Sequence, residues 1–215
     1  GLYADNVYLK GKIWVTGGNA ATQQNIDDSI NGIQVGGRNY ALNTSTPKTK
    51  ESWTGANNQK LSLYVVNVAP EWEVGKQVTI AFDVEVSGLA WSGGTARLAA
   101  QSYGNVTSYD GFGYKSFFSS GSQSSGSGQS LKTRVVYQVT LTAAMLTNQH
   151  YTFEVRCDYI TAGTLTVKNF ALFYGNKATD WSPAPEDIDA LATQTYNNSV
   201  LYTNSYVASE LSSFS

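Results

Sequence analysis

The chain has 215 residues, a formal net charge of −2 and a single cysteine, and only 14% of its residues are charged. That length supports one large domain with appendages, the lone Cys157 excludes an internal disulfide, and 14 scattered lysines and arginines give no basic footprint for nucleic acid. No run of 18 apolar residues is present, so no membrane insertion is predicted, and the solvent face must draw on Ser, Thr, Asn, Gln, Gly and part of an aromatic excess of 14 tyrosines and five tryptophans.

The N-terminal stretch, residues 1–36, reads as an appendage. Short alternating runs with glycine up to Val15 predict a small β element, and Ile26, Ile30 and Ile33 recur at helical spacing behind Thr22, a candidate N-cap. One narrow isoleucine stripe on a short helix needs a partner surface.

Strand signals begin at Leu61, Leu63 and Val65. Val78, Ile80, Phe82, Val84 and Val86 give the cleanest alternation, which predicts a half-buried antiparallel strand with Thr79, Ala81, Asp83 and Glu85 facing outward or poorly buried. A weaker strand covers Ala96 to Gln101. Two further alternating sets follow: Val135, Tyr137, Val139 and Leu141, then Tyr151, Phe153, Val155 and Cys157. Between them Thr142 is placed to cap a single helical turn that buries Met145 or Leu146. In the last strand pair Leu165 and Val167 share odd parity whereas Phe170, Leu172 and Tyr174 share even parity. A strand changes its buried parity only through an inserted residue, so a β-bulge is predicted near Lys168 or Asn169, with two separate short strands as the alternative. Residues 119–130 are all Ser, Gly or Gln, and this composition predicts a mobile loop. Past Trp181, an expected plug for the sandwich end, Pro183 and Pro185 rule out a strand. Glu186 and Asp187 then favour the first turn of a helix, suited to self-association or a stalk, with docking on its own domain as the alternative.

Catalytic chemistry is sparse. His150 has no sequence neighbour suited to a triad or a zinc site. Cys157 alternates with core residues. Gly36-Gly37-Arg38 lacks the lysine and hydroxyl of a phosphate loop. Glu71 with Glu73, and Asp83 with Glu85, are the available paired carboxylates, and their spacing sets them side by side rather than across a cleft. No cofactor is expected. Asp110 is a weak candidate for a calcium ligand.

The segment from Trp91 to Phe118 interleaves aromatics with glycine and small polar residues. Aromatic rings there offer flat faces for stacking, and amides and carboxylates nearby match hydroxyls. Trp91, Gln101, Tyr103, Asn105, Tyr109, Asp110, Phe112 and Tyr114 are therefore the candidate glycan-binding residues. Trp53 is added as either a platform or a lid on the core. The alternative is a meander whose rings fold back into the core.

Gly37-Arg-Asn-Tyr-Ala-Leu-Asn-Thr44 at one end and Gly175-Asn-Lys-Ala-Thr-Asp-Trp-Ser-Pro-Ala-Pro-Glu-Asp187 at the other resemble the boundaries of a module in phage and prophage tail-fibre or baseplate proteins. Leu2-Tyr-Ala-Asp-Asn-Val-Tyr-Leu-Lys-Gly-Lys-Ile13 resembles a segment found upstream in such fibres. The resemblance implies a carbohydrate-binding-like jelly roll on a virion tail that works outside the cell. Its implied partners are bacterial cell-surface polysaccharide, other tail or baseplate proteins, and copies of itself in a trimer. It transfers boundaries and no binding residues.

Together these readings predict an all-β protein: an antiparallel, jelly-roll-like β-sandwich over residues 37–182, flanked by the 1–36 appendage and a 183–215 helical linker or stalk. The expected function is non-catalytic glycan binding. A structural spacer without ligand is the main alternative, and a glycan-degrading enzyme the remote one.

Overall fold

The computed structural model describes residues 37–106 and 111–212. The predicted β element and isoleucine helix of residues 1–36 lie outside the described residues. In chain order the elements are β1 (Lys48–Lys50), β2 (Gln59–Asn67), β3 (Gln77–Ser92), β4 (Arg97–Gly104), β5 (Lys115–Ser119), β6 (Ser125–Thr140), α1 (Ala143–Leu146), β7 (His150–Asp158), β8 (Ile160–Tyr174) and α2 (Pro185–Ser212). The strands form two four-stranded antiparallel sheets, ordered β1-β8-β3-β6 and β2-β7-β4-β5. This is the predicted all-β, jelly-roll-like sandwich with flanking helices.

The core follows the alternation. Val78, Ile80, Phe82, Val84 and Val86 on β3 and Tyr151, Phe153, Val155 and Cys157 on β7 are all buried, each sending every second side chain inward. Phe153 and Phe170 stack edge to face at 5.2 Å, Phe170 lies 6.0 Å from Phe82, and Phe112 meets Tyr151 at 4.2 Å. A chain of rings thus links the two sheets. Thr142 caps α1 as expected, accepting from the Met145 N–H at 3.2 Å, while Met145 and Leu146 are half-buried against the core.

The parity change in β8 is a bulge. Ala81 pairs with Ala171 and Asp83 with Lys168, so Asn169 and Phe170 together oppose Phe82. Asn169 takes φ 55°, a conformation asparagine tolerates better than most residues, and its amide donates to Asp83 at 2.7 Å. The extra residue lets Leu165, Val167, Phe170 and Leu172 all face inward.

Two expectations are overturned. Thr79 and Ala81 were predicted to face outward or be poorly buried, yet both are fully buried. The segment after β8 returns over the outer face there: Trp181 and Ala178 pack on Ala81, Ala171 and Phe173, and the Thr79 hydroxyl donates to the Gly175 carbonyl at 2.8 Å. Only Asp83 and Glu85 remain for the solvent side.

The Ser/Gly run is the second correction. Residues 119–130 form a tight turn followed by the first part of β6, in register with β3 at Ser92, Trp91 and Leu89. Composition counts side chains and overlooks the backbone ladder supplied by a long partner strand. Glycine has a positive use here, because a Cβ at Gly126 would come within 2.2 Å of the Trp91 ring. The indole lies across the strand where only hydrogen is tolerated.

The Tyr137 hydroxyl is buried without a hydrogen-bond partner among the described residues, and burial pushes its pKa up. An unpaired buried hydroxyl costs stability. Tyr137→Phe is therefore expected to leave stability unchanged or raise it by about 1 kcal/mol in urea denaturation. A loss of similar size would show that the hydroxyl is paired in solution.

Candidate functional site

The outer face of the second sheet is set by the parity of β4 and β7. Their odd-numbered β7 and even-numbered β4 positions fill the core, so Thr152, Glu154, Arg156 and Asp158 face outward beside Arg97, Ala99, Gln101 and Tyr103. Antiparallel register places Gln101 opposite Glu154, Ala99 opposite Arg156 and Tyr103 opposite Thr152. On the other side of β7, Lys60 of β2 stands opposite Arg156.

These side chains form a connected network. The Gln101 amide nitrogen donates to Glu154 at 2.6 Å and to the Tyr103 hydroxyl at 2.8 Å. Lys60 closes on the other Glu154 oxygen at 3.1 Å. Arg156 Nε donates to both oxygens of Asp158, at 2.9 and 3.0 Å, and its Nη2 donates to Asn57 at 3.2 Å. Asp158 also accepts from the Asn58 N–H at 2.8 Å and has Arg97 at 4.0 Å. Both carboxylates are 4% exposed, so their hydrogen bonds replace the water they have lost. The bond to Asp158, foremost, raises the Arg156 pKa, so the guanidinium stays charged.

A strap completes the site. Past β4 the chain returns at Gly111, where a Cβ would fall 2.1 Å from the Ser102 carbonyl oxygen. The next N–H, of Phe112, donates to the Ser102 hydroxyl at 2.7 Å, and the Phe112 ring is driven into the core. Tyr114 is thereby delivered to the outer face, 49% exposed, with its hydroxyl accepting from Arg97 at 3.3 Å. Between strap and sheet lies an open groove of about 290 Å³, walled by Gln101, Tyr103, Tyr114 and Arg156 over a floor of Ser102, Gly111 and Gly113. Two tyrosines, an amide and a guanidinium thus converge on one depression.

No protein-family model and no curated protein matches the chain. Solved structures show distant likeness. The tripod (BppUct-A-L) from the baseplate of bacteriophage Tuc2009 aligns at 13% identity over 72% of this chain and 61% of that one, with a TM-score of 0.42. A structure titled "CBM4 structure and function" aligns at 11% identity over 54% of this chain and 60% of that one, TM-score 0.30. The xylan-binding module CBM15 aligns at 14% identity over 64% of this chain and 97% of that one, TM-score 0.34. The chain thus spans about 61% of the length of the baseplate chain it resembles. The sandwich assignment itself rests on the strand order and register given above.

Of the residues singled out from sequence, the structure brings Gln101, Tyr103 and Tyr114 together. Trp91 and Phe112 are core residues instead, 6% and 0% exposed. Trp91 packs edge to face on Phe118 at 5.8 Å, and Phe112 pins the strap, so neither ring is open to a ligand. Asn105 is exposed but accepts from the Gln149 and His150 N–H groups, tying two loops together. Trp53 is a half-buried lid whose indole donates to the Gly163 carbonyl, outside the groove lining. Tyr109 and Asp110 lie outside the described residues. Sequence reasoning missed Lys60, Arg97, Glu154, Arg156 and Asp158. The signal was available: in the 151–158 run every even position is polar or charged.

Other chemistry-bearing groups are engaged elsewhere. Glu85 accepts from Lys168 at 2.6 Å and pairs with Lys132 at 3.2 Å, contacts that lower its pKa. Burial raises the Cys157 thiol to about 12, which keeps it protonated and a poor nucleophile. Among the described residues no group of three or more His, Cys, Asp and Glu gathers in a metal-holding arrangement.

Proposed function

We propose that this chain is a non-catalytic saccharide-binding module of a phage or prophage tail protein, recognising bacterial cell-surface glycan through the Gln101–Tyr103–Tyr114–Arg156 groove. The observation that carries the reading is this convergence of aromatic rings and fixed polar groups on an open sheet face. A sugar ring has apolar C–H faces suited to tyrosine and a rim of hydroxyls suited to an amide and a guanidinium. Open grooves with few anchors bind weakly, so the expected affinity per module is micromolar to millimolar, about −8 to −4 kcal/mol. Several copies on one fibre would make later contacts intramolecular and raise avidity. Calorimetric titration of host wall glycan is expected to show at least tenfold weaker binding for a Tyr103→Ala/Tyr114→Ala double variant that keeps its fold. Equal binding by both proteins would move the site elsewhere, and no binding by either would favour the structural-spacer reading.

The placement on a tail is supported by the boundary motifs, which meet in space. Arg38 pairs with Glu186, the Asn43 N–H donates to Asp187 at 2.8 Å, and the Trp181 indole donates to Thr44 at 3.0 Å. The module of residues 37–182 thus receives and releases the chain at one point, where α2 begins. From Ile188 to Ala208 that helix is exposed, including Leu191 and Leu201 at 64% each. We assign it to contact between copies, as a trimer joined to other tail or baseplate proteins. Light scattering is expected to give an oligomer for the full chain and a monomer for residues 37–182. A monomeric full chain would overturn this assignment.

A further inference from the structure

We propose that the groove selects an acidic glycan, one whose carboxylate or phosphate oxygen is seated on Arg156 with Arg97 beside it. This inference rests on the saccharide-site reading and concerns which saccharides the site accepts. The argument is the direction in which hydrogen-bonding capacity points. Glu154 and Asp158 are the charged acceptors of the face, and both are occupied by protein donors: Glu154 holds Gln101 and Lys60, while Asp158 holds Asn58, Arg156 and, at 4.0 Å, Arg97. The donors are not used up. Arg156 engages only its Nε and one Nη2 contact, so the Nη1 pair bonds to none of the described residues, and the side chain lines the groove. Arg97, 41% exposed, shares Asp158 and reaches across to Tyr114.

Charge points the same way. Among the described residues three cations, Lys60, Arg97 and Arg156, stand against two carboxylates, Glu154 and Asp158, in this network. A guanidinium oriented by a buried carboxylate presents its remaining N–H groups in a fixed plane, a geometry that matches two anionic oxygens better than two hydroxyls. Gln101, whose carbonyl oxygen accepts from no described residue, is left to take a sugar hydroxyl at the other end of the groove.

The test is a titration of the full chain, followed by NMR, with three probes: a glucuronate-containing tetrasaccharide, a neutral glucose tetrasaccharide and polyglycerol phosphate. At least one anionic probe is expected to bind tenfold or more tightly than the neutral one and to weaken with added salt. Comparing the two anionic probes separates a uronate carboxylate from a phosphodiester. Arg156→Gln is expected to abolish the preference. Arg97→Gln, which leaves the Arg156–Asp158 pair intact, is expected to reduce it severalfold. Equal or tighter binding of the neutral probe at the groove would overturn the acidic-ligand inference while leaving the saccharide site standing. An unchanged preference in both variants, or no response to any probe, would also overturn it. Failure of the saccharide reading is distinguished by host wall glycan leaving the groove residues unperturbed.

Discussion

Truncating Phe153 to alanine is expected to destabilise the protein by about 3–5 kcal/mol, with a similar loss for Phe82→Ala. Both rings are 1% exposed. Phe153 comes from the second sheet and meets Phe112 at 5.9 Å and Phe170 at 5.2 Å; Phe82 comes from the first and meets Phe170 at 6.0 Å. Removing either leaves a cavity between two ladders whose backbones are fixed by hydrogen bonds, so little collapse can fill it. The Phe153 change has a second consequence, because Phe112 rests on the same ring and pins the strap carrying Tyr114. Equilibrium denaturation measures the loss. Values under about 1 kcal/mol for both variants would contradict the assignment of these strand faces.

Asn39→Ala is expected to cost about 3 kcal/mol, although the residue lies near the module's edge and contributes little apolar surface. Its side chain is fully buried and works in both directions. The carbonyl oxygen accepts from the Ala41 N–H at 2.9 Å and the Leu172 N–H at 3.1 Å. The amide nitrogen reaches the Ser182 carbonyl at 3.1 Å, and the Phe170 carbonyl and the Thr44 hydroxyl at 3.4 Å each. Deletion strands several buried backbone groups at once. Asn39→Asp keeps the shape but replaces a donor with an acceptor facing two carbonyls, so it is expected to be at least as damaging. Arg38→Ala is the contrast. Its ion pair with Glu186 is about half exposed on both sides, and its loss is expected to cost under about 1 kcal/mol. Thermal or urea denaturation of the three variants ranks them. A neutral Asn39→Asp would refute the proposed bonding.

The sandwich was legible because its central strands β3 and β7 carry clean alternating apolar sets, and each has one dry face. Even the Asn169 bulge showed, since Leu165 and Phe170 cannot share an inner face without an extra residue. What alternation could not show was cover supplied from far along the chain. Thr79 and Ala81 look like solvent positions until Trp181 returns over them. The Ser/Gly run failed for a related reason, because β3 provides a ladder that its own composition does not reveal. The site was half legible. The Trp91–Phe118 segment drew attention by its aromatics, and Tyr103, Tyr114 and Gln101 do meet. Glycine spacing, however, does not tell which rings turn inward, and Trp91 and Phe112 do. Lys60, Arg97, Glu154, Arg156 and Asp158 come from three strands that only register brings side by side.

The most direct test of the groove as the binding surface is an amide NMR titration of the isotope-labelled chain with purified host wall glycan. Shifts concentrated at Gln101, Tyr103, Gly111, Gly113, Tyr114 and Arg156, saturating together, are the expected result. Shifts confined to the opposite sheet around Asp83, Glu85, Lys132 and Lys168, or to α2, would contradict it.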